Sequence, residues 1–218
     1  MLLCLHTHSF KKAAVFPALM QNMATMANAT GNERCVAAMP DAADAWQCLF
    51  AETLYTYIET PLFVVNSALD PFQTQCILSS RLHADFPNTR DPNLDTDTCS
   101  QVPGYAECGL ASLDGCSSAQ MATFVDYMST FQYRLKEVSS PSHSYGNGAF
   151  LYSCLTHCAG VDDAQFNTIA IGDTTMQESL AAWWQSEGEL TQKHTHLPCM
   201  YNNASDTPHR CNPSCAPH

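Results

Sequence analysis

Two short apolar runs, each closed by polar residues, dominate the hydrophobic pattern of the chain. Residues 60–66 (TPLFVVN) have a proline near their start and are otherwise almost continuously apolar. Such a run is typical of a strand buried on both faces of a parallel sheet. Residues 149–154 (AFLYSC) predict a second short buried strand. Asp70 follows the first run and His157 follows the second. The pattern therefore predicts two buried strands, each with an ionisable residue just beyond its end.

Helical spacing of apolar residues predicts the elements around these strands. We expect helices over residues 16–26, 44–57, 73–82, 121–138 and 174–184. The fourth has the strongest pattern, with apolar residues at three- and four-residue steps, and Ser117-x-x-Gln120 has the form of a capping box at its start. The first is Met-rich, and we expect it to supply side chains to a core. Loops are predicted over residues 28–44 and 83–116, and we expect disulfides to hold the Cys-, His-, Pro- and Asn-rich tail from Lys193.

The charge balance excludes one class of partner. The chain carries 21 acidic and 9 basic residues, for a net charge of −12 with histidine neutral. Binding to nucleic acid or to an anionic membrane surface needs clustered Lys and Arg, so neither is expected. No stretch approaches the roughly 20 apolar residues of a membrane-spanning helix.

Cysteine content is the strongest compositional signal. Twelve cysteines in 218 residues, together with the sequons at Asn28 and Asn203, indicate an oxidised, secreted glycoprotein. The first ten residues do not fit a signal peptide, so we expect that a further segment precedes them. Cys35 and Cys48 bracket a short acidic loop and are the one disulfide pairing that we predict. The disulfide candidates are Cys35, Cys48, Cys99, Cys108, Cys116, Cys154, Cys158, Cys199, Cys211 and Cys215.

A zinc site is the alternative use of these cysteines. The spacings Cys154-x-x-x-Cys158 and Cys211-x-x-x-Cys215 suit a metal. No Cys-x-x-Cys pair occurs and the remaining cysteines are scattered, which favours disulfides. Two His-x-His pairs, at residues 6–8 and 194–196, lack a third ligand at a suggestive spacing, so solvent-exposed histidines are favoured there.

The order strand, Asp70, helix, strand, His157 is the order that the second half of an α/β-hydrolase requires. In that fold the histidine accepts a proton from a serine, while the acid fixes its tautomer and stabilises its positive charge. An aspartate after a strand also serves as a turn residue or a helix cap. A histidine between two cysteines is likewise often structural.

Four segments resemble the pectin acetylesterase/Notum family. Residues 60–73 (TPLFVVNSALDPFQ) resemble the strand and catalytic-acid segment of pectin acetylesterases, and residues 153–158 (SCLTHC) resemble their catalytic-histidine segment. Residues 46–50 (WQCLF) match a segment that lies upstream of the catalytic acid in pectin acetylesterases. Residues 211–215 (CNPSC) match the cysteine cluster near the C-terminus that pectin acetylesterases share with Notum. The resemblance runs in order from about Gln21 to Cys215.

This resemblance implies a single α/β domain over residues 1–218, the C-terminal part of an α/β-hydrolase. It implies hydrolysis of carboxylic esters by a Ser–Asp–His triad without a cofactor, with Asp70 as the orienting acid and His157 as the general base and then acid. The implied substrate is an acetylated, pectin-like polysaccharide, or, as in Notum, a fatty-acylated protein. Cys158 beside His157 resembles the pectin acetylesterase branch and favours acetyl esters. The oligomeric state stays open.

The sequence departs from the family at the nucleophile. No Gly-x-Ser-x-Gly elbow occurs, and Ser117, in the similar run of residues 115–119 (GCSSA), lies between Asp70 and His157. No apolar strand precedes Ser117, so we predict a helix N-cap there. Two alternatives therefore stay open: a catalytically inactive fragment or secreted binding protein, and a Cys/His metal-binding module.

Overall fold

A computed structural model of the chain describes residues 15–71, 73, 108, 113–135, 146–186, 195–196, 212 and 214–215. These residues fall into two units. Those within Ile58–Asp70 and Ser117–His218 form the sheet unit, and those within Cys4–Tyr57 and Pro71–Cys116 form the helical unit. That one domain holds both units stays a prediction.

Most of the described residues of the helical unit precede the first strand. It contains α1 (Val15–Ala27), α2 (Glu33–Ala38), a 3-10 helix (Ala42–Leu49), α3 (Ala51–Leu54) and a second 3-10 turn (Tyr55–Tyr57). In chain order the sheet unit contains β1 (Phe63–Ser67), α4 (Ser118–Arg134), β2 (Gly148–Tyr152), a 3-10 turn (Ala159–Val161), α5 (Asp163–Thr168), β3 (Ala170–Ile171), β4 (Thr174–Thr175), α6 (Met176–Gln185) and β5 (Thr195–His196).

The two predicted strands are neighbours in one parallel sheet. Within the described residues the strand order is β1-β2-β5, and the register runs from Phe63 opposite Gly148 to Ser67 opposite Tyr152. All five residues of β2 are buried, as expected for a strand with neighbours on both edges and packing on both faces. The predicted α/β class, with parallel strands and flanking helices, is confirmed.

One face of β2 packs against the segment that follows it. Its core cluster consists of Phe150, Tyr152, Cys154, Ala159, Ile169 and Met176. At the start of β2, Trp183 of α6 packs against Phe63, with ring centroids 5.3 Å apart. A Cβ atom at Gly148 would lie 2.6 Å from the Phe63 ring and 2.8 Å from that of Trp183. Glycine is therefore required where these two rings meet the strand.

The helices of the sheet unit begin at defined caps. Ser117 caps α4, and the capping box with Gln120 is present as predicted. The predicted helix over residues 174–184 is confirmed as α6, which begins with a second capping box formed by Thr175 and Glu178. Hydrogen bonds from the backbone N–H and then the hydroxyl of Thr175 lower the pKa of Glu178. Each cap satisfies N–H groups that the first turn of a helix leaves without an intrahelical acceptor.

The helical unit corrects one prediction and confirms another. Residues 28–44 are not a continuous loop, because Asn32 caps α2 and Asp41 caps the following 3-10 helix. The helix predicted over residues 44–57 is present in three shorter pieces. The predicted disulfide between Cys35 and Cys48 is confirmed, with a Cα–Cα distance of 5.8 Å.

α1 is confirmed as a helix, and its described side chains contribute little to a core. Among its described side chains only Ala24 is buried, while Met23 and Met26 are 49% and 80% exposed. The predicted helix over residues 73–82 and the loop over 83–116 lie mostly outside the described residues. None of the helices in the described part of the chain has the length and hydropathy needed to span a bilayer.

Candidate active site

The register of the sheet explains why Asp70 and His157 meet. Carboxyl ends of parallel strands share one edge of a sheet, and ligand and catalytic sites of open α/β sheets lie at that edge. β1 ends at Ser67 and β2 ends opposite it at Tyr152. Asp70 therefore follows β1 by three residues and His157 follows β2 by five. The loops that carry them leave the sheet side by side.

Asp70 and His157 form a hydrogen-bonded dyad. The His157 Nδ1 atom lies 3.0 Å from each carboxylate oxygen of Asp70. The Asp70 side chain is 2% exposed, whereas the His157 side chain is 41% exposed. A carboxylate only accepts hydrogen bonds, so the neutral imidazole carries its proton on Nδ1. Nε2 is then the ring nitrogen that carries no proton, on a side chain that is 41% exposed.

The loop that carries Asp70, residues 67–70, is fixed by buried hydrogen bonds. We call it the acid turn. The Ala68 N–H donates to the Tyr152 carbonyl at 2.7 Å, which extends the ladder between β1 and β2. The Ser67 hydroxyl accepts from the Leu69 N–H at 3.0 Å and donates to the Cys154 carbonyl at 2.5 Å. Each of these groups belongs to a buried residue, so the turn has little freedom to open.

The loop that carries His157, residues 153–158, is attached to the end of the chain. We call it the histidine loop. Its Cys154 forms a disulfide with Cys215. Both the N–H and the hydroxyl of Ser153 donate to Asn212 Oδ1 at 2.8 Å. Asn212 Nδ2 in turn donates to the Ala170 carbonyl at 2.8 Å. We call the part of the chain that contains Asn212 and Cys215 the terminal segment. It fixes the start of the histidine loop covalently, through the disulfide, and through the buried side-chain amide of Asn212.

Tyr152, the last residue of β2, lies near the dyad, and the sequence pattern predicts it only as a strand residue. Its phenol is buried, and burial raises its pKa to about 12, with a further contribution from the negative charge of Asp70. The Thr156 hydroxyl donates to the phenol oxygen at 3.3 Å. Tyr152 therefore stays neutral beside the dyad. No periodicity in the sequence distinguishes this tyrosine from an ordinary core residue.

The described cysteines decide between the prediction of disulfides and the prediction of a zinc site. The disulfides of the described residues are Cys35–Cys48, Cys108–Cys116 and Cys154–Cys215. Cys154 and Cys215 are thereby removed from any zinc site built on their spacings, because a disulfide sulfur is not a thiolate ligand.

The prediction of a disulfide at Cys158 is wrong. Its thiol is free and exposed, and its backbone has a φ of 59°. Cys154 is the cysteine of this loop that pairs with Cys215. Cys99, Cys199 and Cys211 lie outside the described residues.

The remaining candidates contribute no second site among the described residues. Ser117 is a helix cap, its hydroxyl accepting from the Gln120 N–H at 3.4 Å and donating to Gln120 Oε1 at 2.8 Å. No group of three or more His, Cys, Asp or Glu in the described ranges is placed to hold a metal. Of the His-x-His pairs, His196 lies in β5 and residues 6–8 and 194 lie outside the described ranges. Asn28 is exposed at the end of α1, and Asn203 lies outside the described residues.

Curated relatives are plant enzymes that are longer than this chain. Pectin acetylesterase 5 from Arabidopsis thaliana is 25% identical over 187 residues, which is 84% of this chain and 35% of that protein. Pectin acetylesterase 11 from the same plant is 25% identical over 171 residues, 77% of this chain and 36% of that protein. The chain thus spans about a third of the length of these relatives.

Solved structures of the Wnt deacylase Notum from Drosophila share the fold. One matches with a TM-score of 0.62 at 18% identity, covering 98% of this chain and 47% of that chain. A second crystal form matches with a TM-score of 0.61 at 19% identity, covering 97% and 46%. The predicted α/β-hydrolase architecture is confirmed by this likeness. The family described as Pectinacetylesterase matches residues 5–216, nearly the whole sequence, and the chain therefore belongs to the pectinacetylesterase family.

Proposed function

We propose that this chain supplies the acid and the histidine of a serine-dependent carboxylic ester hydrolase. The observation that carries the proposal is the dyad: His157 Nδ1 is 3.0 Å from both oxygens of the buried Asp70 carboxylate. Its place at the carboxyl edge of a parallel sheet supports the same reading. Membership of the pectinacetylesterase family gives the reaction class, hydrolysis of an ester bond.

The dyad would act as the proton carrier of this reaction. Asp70 holds the Nδ1 proton, so Nε2 of His157 accepts the proton of a serine hydroxyl as the serine oxygen attacks the acyl carbon. His157 then returns that proton to the leaving alcohol, and an acyl-enzyme remains. Water is activated in the same way and releases the carboxylic acid. The serine comes from outside this sequence, which contains no Gly-x-Ser-x-Gly elbow.

The proposed substrate is an acetylated, pectin-like polysaccharide. Relatives named pectin acetylesterases support it, as does Cys158 directly after His157, a feature that resembles that branch. The net charge of −12 would repel a polyanion such as de-esterified pectin, so a local basic patch or neutral contacts would have to hold such a chain. The second candidate is removal of a fatty acyl group from a protein, which the structural likeness to the Wnt deacylase Notum supports.

We further propose that the protein is secreted and glycosylated. Three disulfides in the described residues indicate an oxidising compartment. Asn28 is exposed and its sequon continues through Thr30. Expression behind a eukaryotic secretion signal should yield a glycopeptide that contains Asn28, and Thr30→Ala should abolish it. An unmodified Asn28 in secreted protein would count against glycosylation at this site.

Kinetics on the gene product that contains this chain and its upstream sequence test the esterase proposal. Release of acetate from acetylated pectin should fall about 10⁴-fold in kcat with Asp70→Asn, which leaves the geometry but stabilises the wrong tautomer. His157→Ala should cause at least as large a loss. Ser117→Ala should leave kcat unchanged, because Ser117 caps a helix.

The outcomes separate the competing functions. If Asp70→Asn and His157→Ala retain the activity of the parent, the dyad is not the catalytic pair. If the parent releases fatty acid from an acylated peptide in preference to acetate, the Notum-like alternative stands. If no ester of either kind is hydrolysed, the protein is a non-enzymatic member of the fold.

A further inference from the structure

We propose that Ser67 is a positioning residue that sets the acid turn against the histidine loop; this inference rests on the proposed esterase function. Its hydroxyl makes two hydrogen bonds, accepting from the Leu69 N–H at 3.0 Å and donating to the Cys154 carbonyl at 2.5 Å. Ser67 is 1% exposed, so water does not replace either partner. One oxygen atom thus connects the two loops of the dyad directly.

The position of Ser67 gives these two bonds their importance. Ser67 precedes Asp70 by three residues, and Cys154 precedes His157 by three residues. The hydroxyl therefore joins Ser67, in the last pair of the β1–β2 register, to Cys154, two residues past the end of β2. A change in the separation of these points moves the Asp70 carboxylate relative to the imidazole.

A single hydroxyl at residue 67 serves both groups. The Leu69 N–H is a donor and the Cys154 carbonyl is an acceptor, and a hydroxyl accepts and donates at once. Alanine would leave both buried groups without this partner, and a buried polar group left unpaired costs about 1–3 kcal/mol. The acid turn would then relax toward new partners. Because Cys154 is bonded to Cys215, the movement falls on the acid turn.

Ser153 provides a matched control on the adjacent strand end. It is also a buried serine, at 0% exposure, and its hydroxyl donates to Asn212 Oδ1 at 2.8 Å. This bond does not involve the acid turn, and its loss leaves the Ser153 N–H bonded to Asn212 Oδ1, so the histidine loop stays attached. Loss of stability alone should therefore be common to Ser67→Ala and Ser153→Ala, while a change in the dyad should be specific to Ser67→Ala.

The test is NMR of the chain labelled with ¹⁵N-histidine, at a pH at which the imidazole is neutral. His157→Gln assigns the signal of His157. The wild type should show one tautomer, protonated on Nδ1, with slow exchange of that proton. Ser67→Ala should mix the two tautomers and speed the exchange by about tenfold or more. Ser67→Thr, which keeps the hydroxyl, should restore the wild-type signal, and Ser153→Ala should retain it.

A second measurement needs no variant. The Leu69 amide of the wild-type chain should be protected from hydrogen exchange to about the same degree as the amides of β1, and an unprotected amide would overturn the inference even if Ser67→Ala did not fold. A wild-type tautomer and exchange rate in folded Ser67→Ala would also overturn it. If the NMR change occurs while the longer gene product hydrolyses no ester, the proposed function fails and the positioning role stands. In an active enzyme, Ser67→Ala should lower kcat about tenfold or more with little change in KM.

Discussion

Asp70 and His157 lie after neighbouring parallel strands, but the two loops that carry them are held in different ways. The Asp70 side chain is 2% exposed and that of His157 is 41% exposed. The acid turn is fixed by hydrogen bonds to the adjacent strand end, through Ser67 and the Ala68 N–H. The histidine loop is fixed from a distance, by a disulfide and an amide of the terminal segment.

The difference matches the task proposed for each residue. A carboxylate that only orients its partner gains from burial, because the surrounding groups cannot reorganise during the reaction. A histidine that exchanges protons with a substrate has to keep one ring nitrogen accessible. Fixing the start of the histidine loop and leaving its end exposed meets both needs. Four changes test this comparison, from the largest expected effect to the smallest.

Removal of the disulfide at the histidine loop should have the largest effect. The double variant Cys154→Ala/Cys215→Ala should lower the free energy of unfolding by about 4 kcal/mol, because the bond closes a loop of 61 residues. The control is Cys35→Ala/Cys48→Ala, whose separation of 13 residues predicts about 3 kcal/mol. Guanidinium unfolding measures both, and a smaller loss at Cys154 than at Cys35 would contradict the role given to the terminal segment.

Tyr152 should make stability depend on alkaline pH. Its pKa rises from 10.0 in the unfolded chain to about 12 in the fold, so stability is fully present below pH 10 and is lost as pH rises toward 12. A difference of that size corresponds to roughly 3 kcal/mol. Tyr152→Phe should remove this part of the decline in urea unfolding between pH 9 and pH 12. The difference in phenolate absorbance between wild type and Tyr152→Phe reports the titration of Tyr152, and its midpoint should lie near pH 12. A midpoint near pH 10 would show that burial does not raise the pKa of Tyr152.

The amide at Asn212 should contribute less than the disulfide beside it. Asn212→Ala removes the acceptor shared by the N–H and hydroxyl of Ser153, and we expect a loss of about 2 kcal/mol in the free energy of unfolding. Asn212→Asp keeps the acceptor oxygen but removes the donor to the Ala170 carbonyl, so it separates the two halves of the amide. Equal unfolding midpoints for Asn212→Ala and wild type would show that the disulfide alone fixes the loop.

The smallest effect should come from Ser117, which belongs to neither loop. Ser117→Ala removes the cap of α4 and should lower the free energy of unfolding by about 1 kcal/mol. A fall in the thermal unfolding midpoint measures this loss. The imidazole ¹⁵N shifts of His157 should stay as in the wild type. A change in those shifts would mean that the dyad depends on α4 as well as on the bonds that hold its two loops.

The residues that carry the dyad were predictable, because both follow apolar runs that are typical of buried strands. Parallel pairing then places Asp70 and His157 at one edge without further information. Ser67 was not predictable, since a polar residue at the end of an apolar run resembles the end of a strand. Asn212 was not predictable either, because its partner Ser153 is 59 residues away in the sequence.

The wrong predictions have physical causes of the same kind. Residues 28–44 contain the Asn and Asp residues that turns use, but Asn32 and Asp41 cap short helices instead, and both roles depend on the same side-chain oxygen. The expected core role of α1 relied on its apolar residues, yet Met26 is 80% exposed. Hydrophobicity alone does not say which face finds a partner.

The pairing of β1 with β2 also has a consequence for the time course of folding. The dyad joins residues 87 positions apart, and closing so long a loop carries an entropic penalty that only later contacts offset. Helices α4, α5 and α6 can form from contacts between near neighbours in sequence, whereas contacts of high sequence separation form slowly. The Asp70–His157 hydrogen bond should therefore be among the last contacts to form. A nascent or partly refolded chain would then lack the dyad until β1 and β2 have paired.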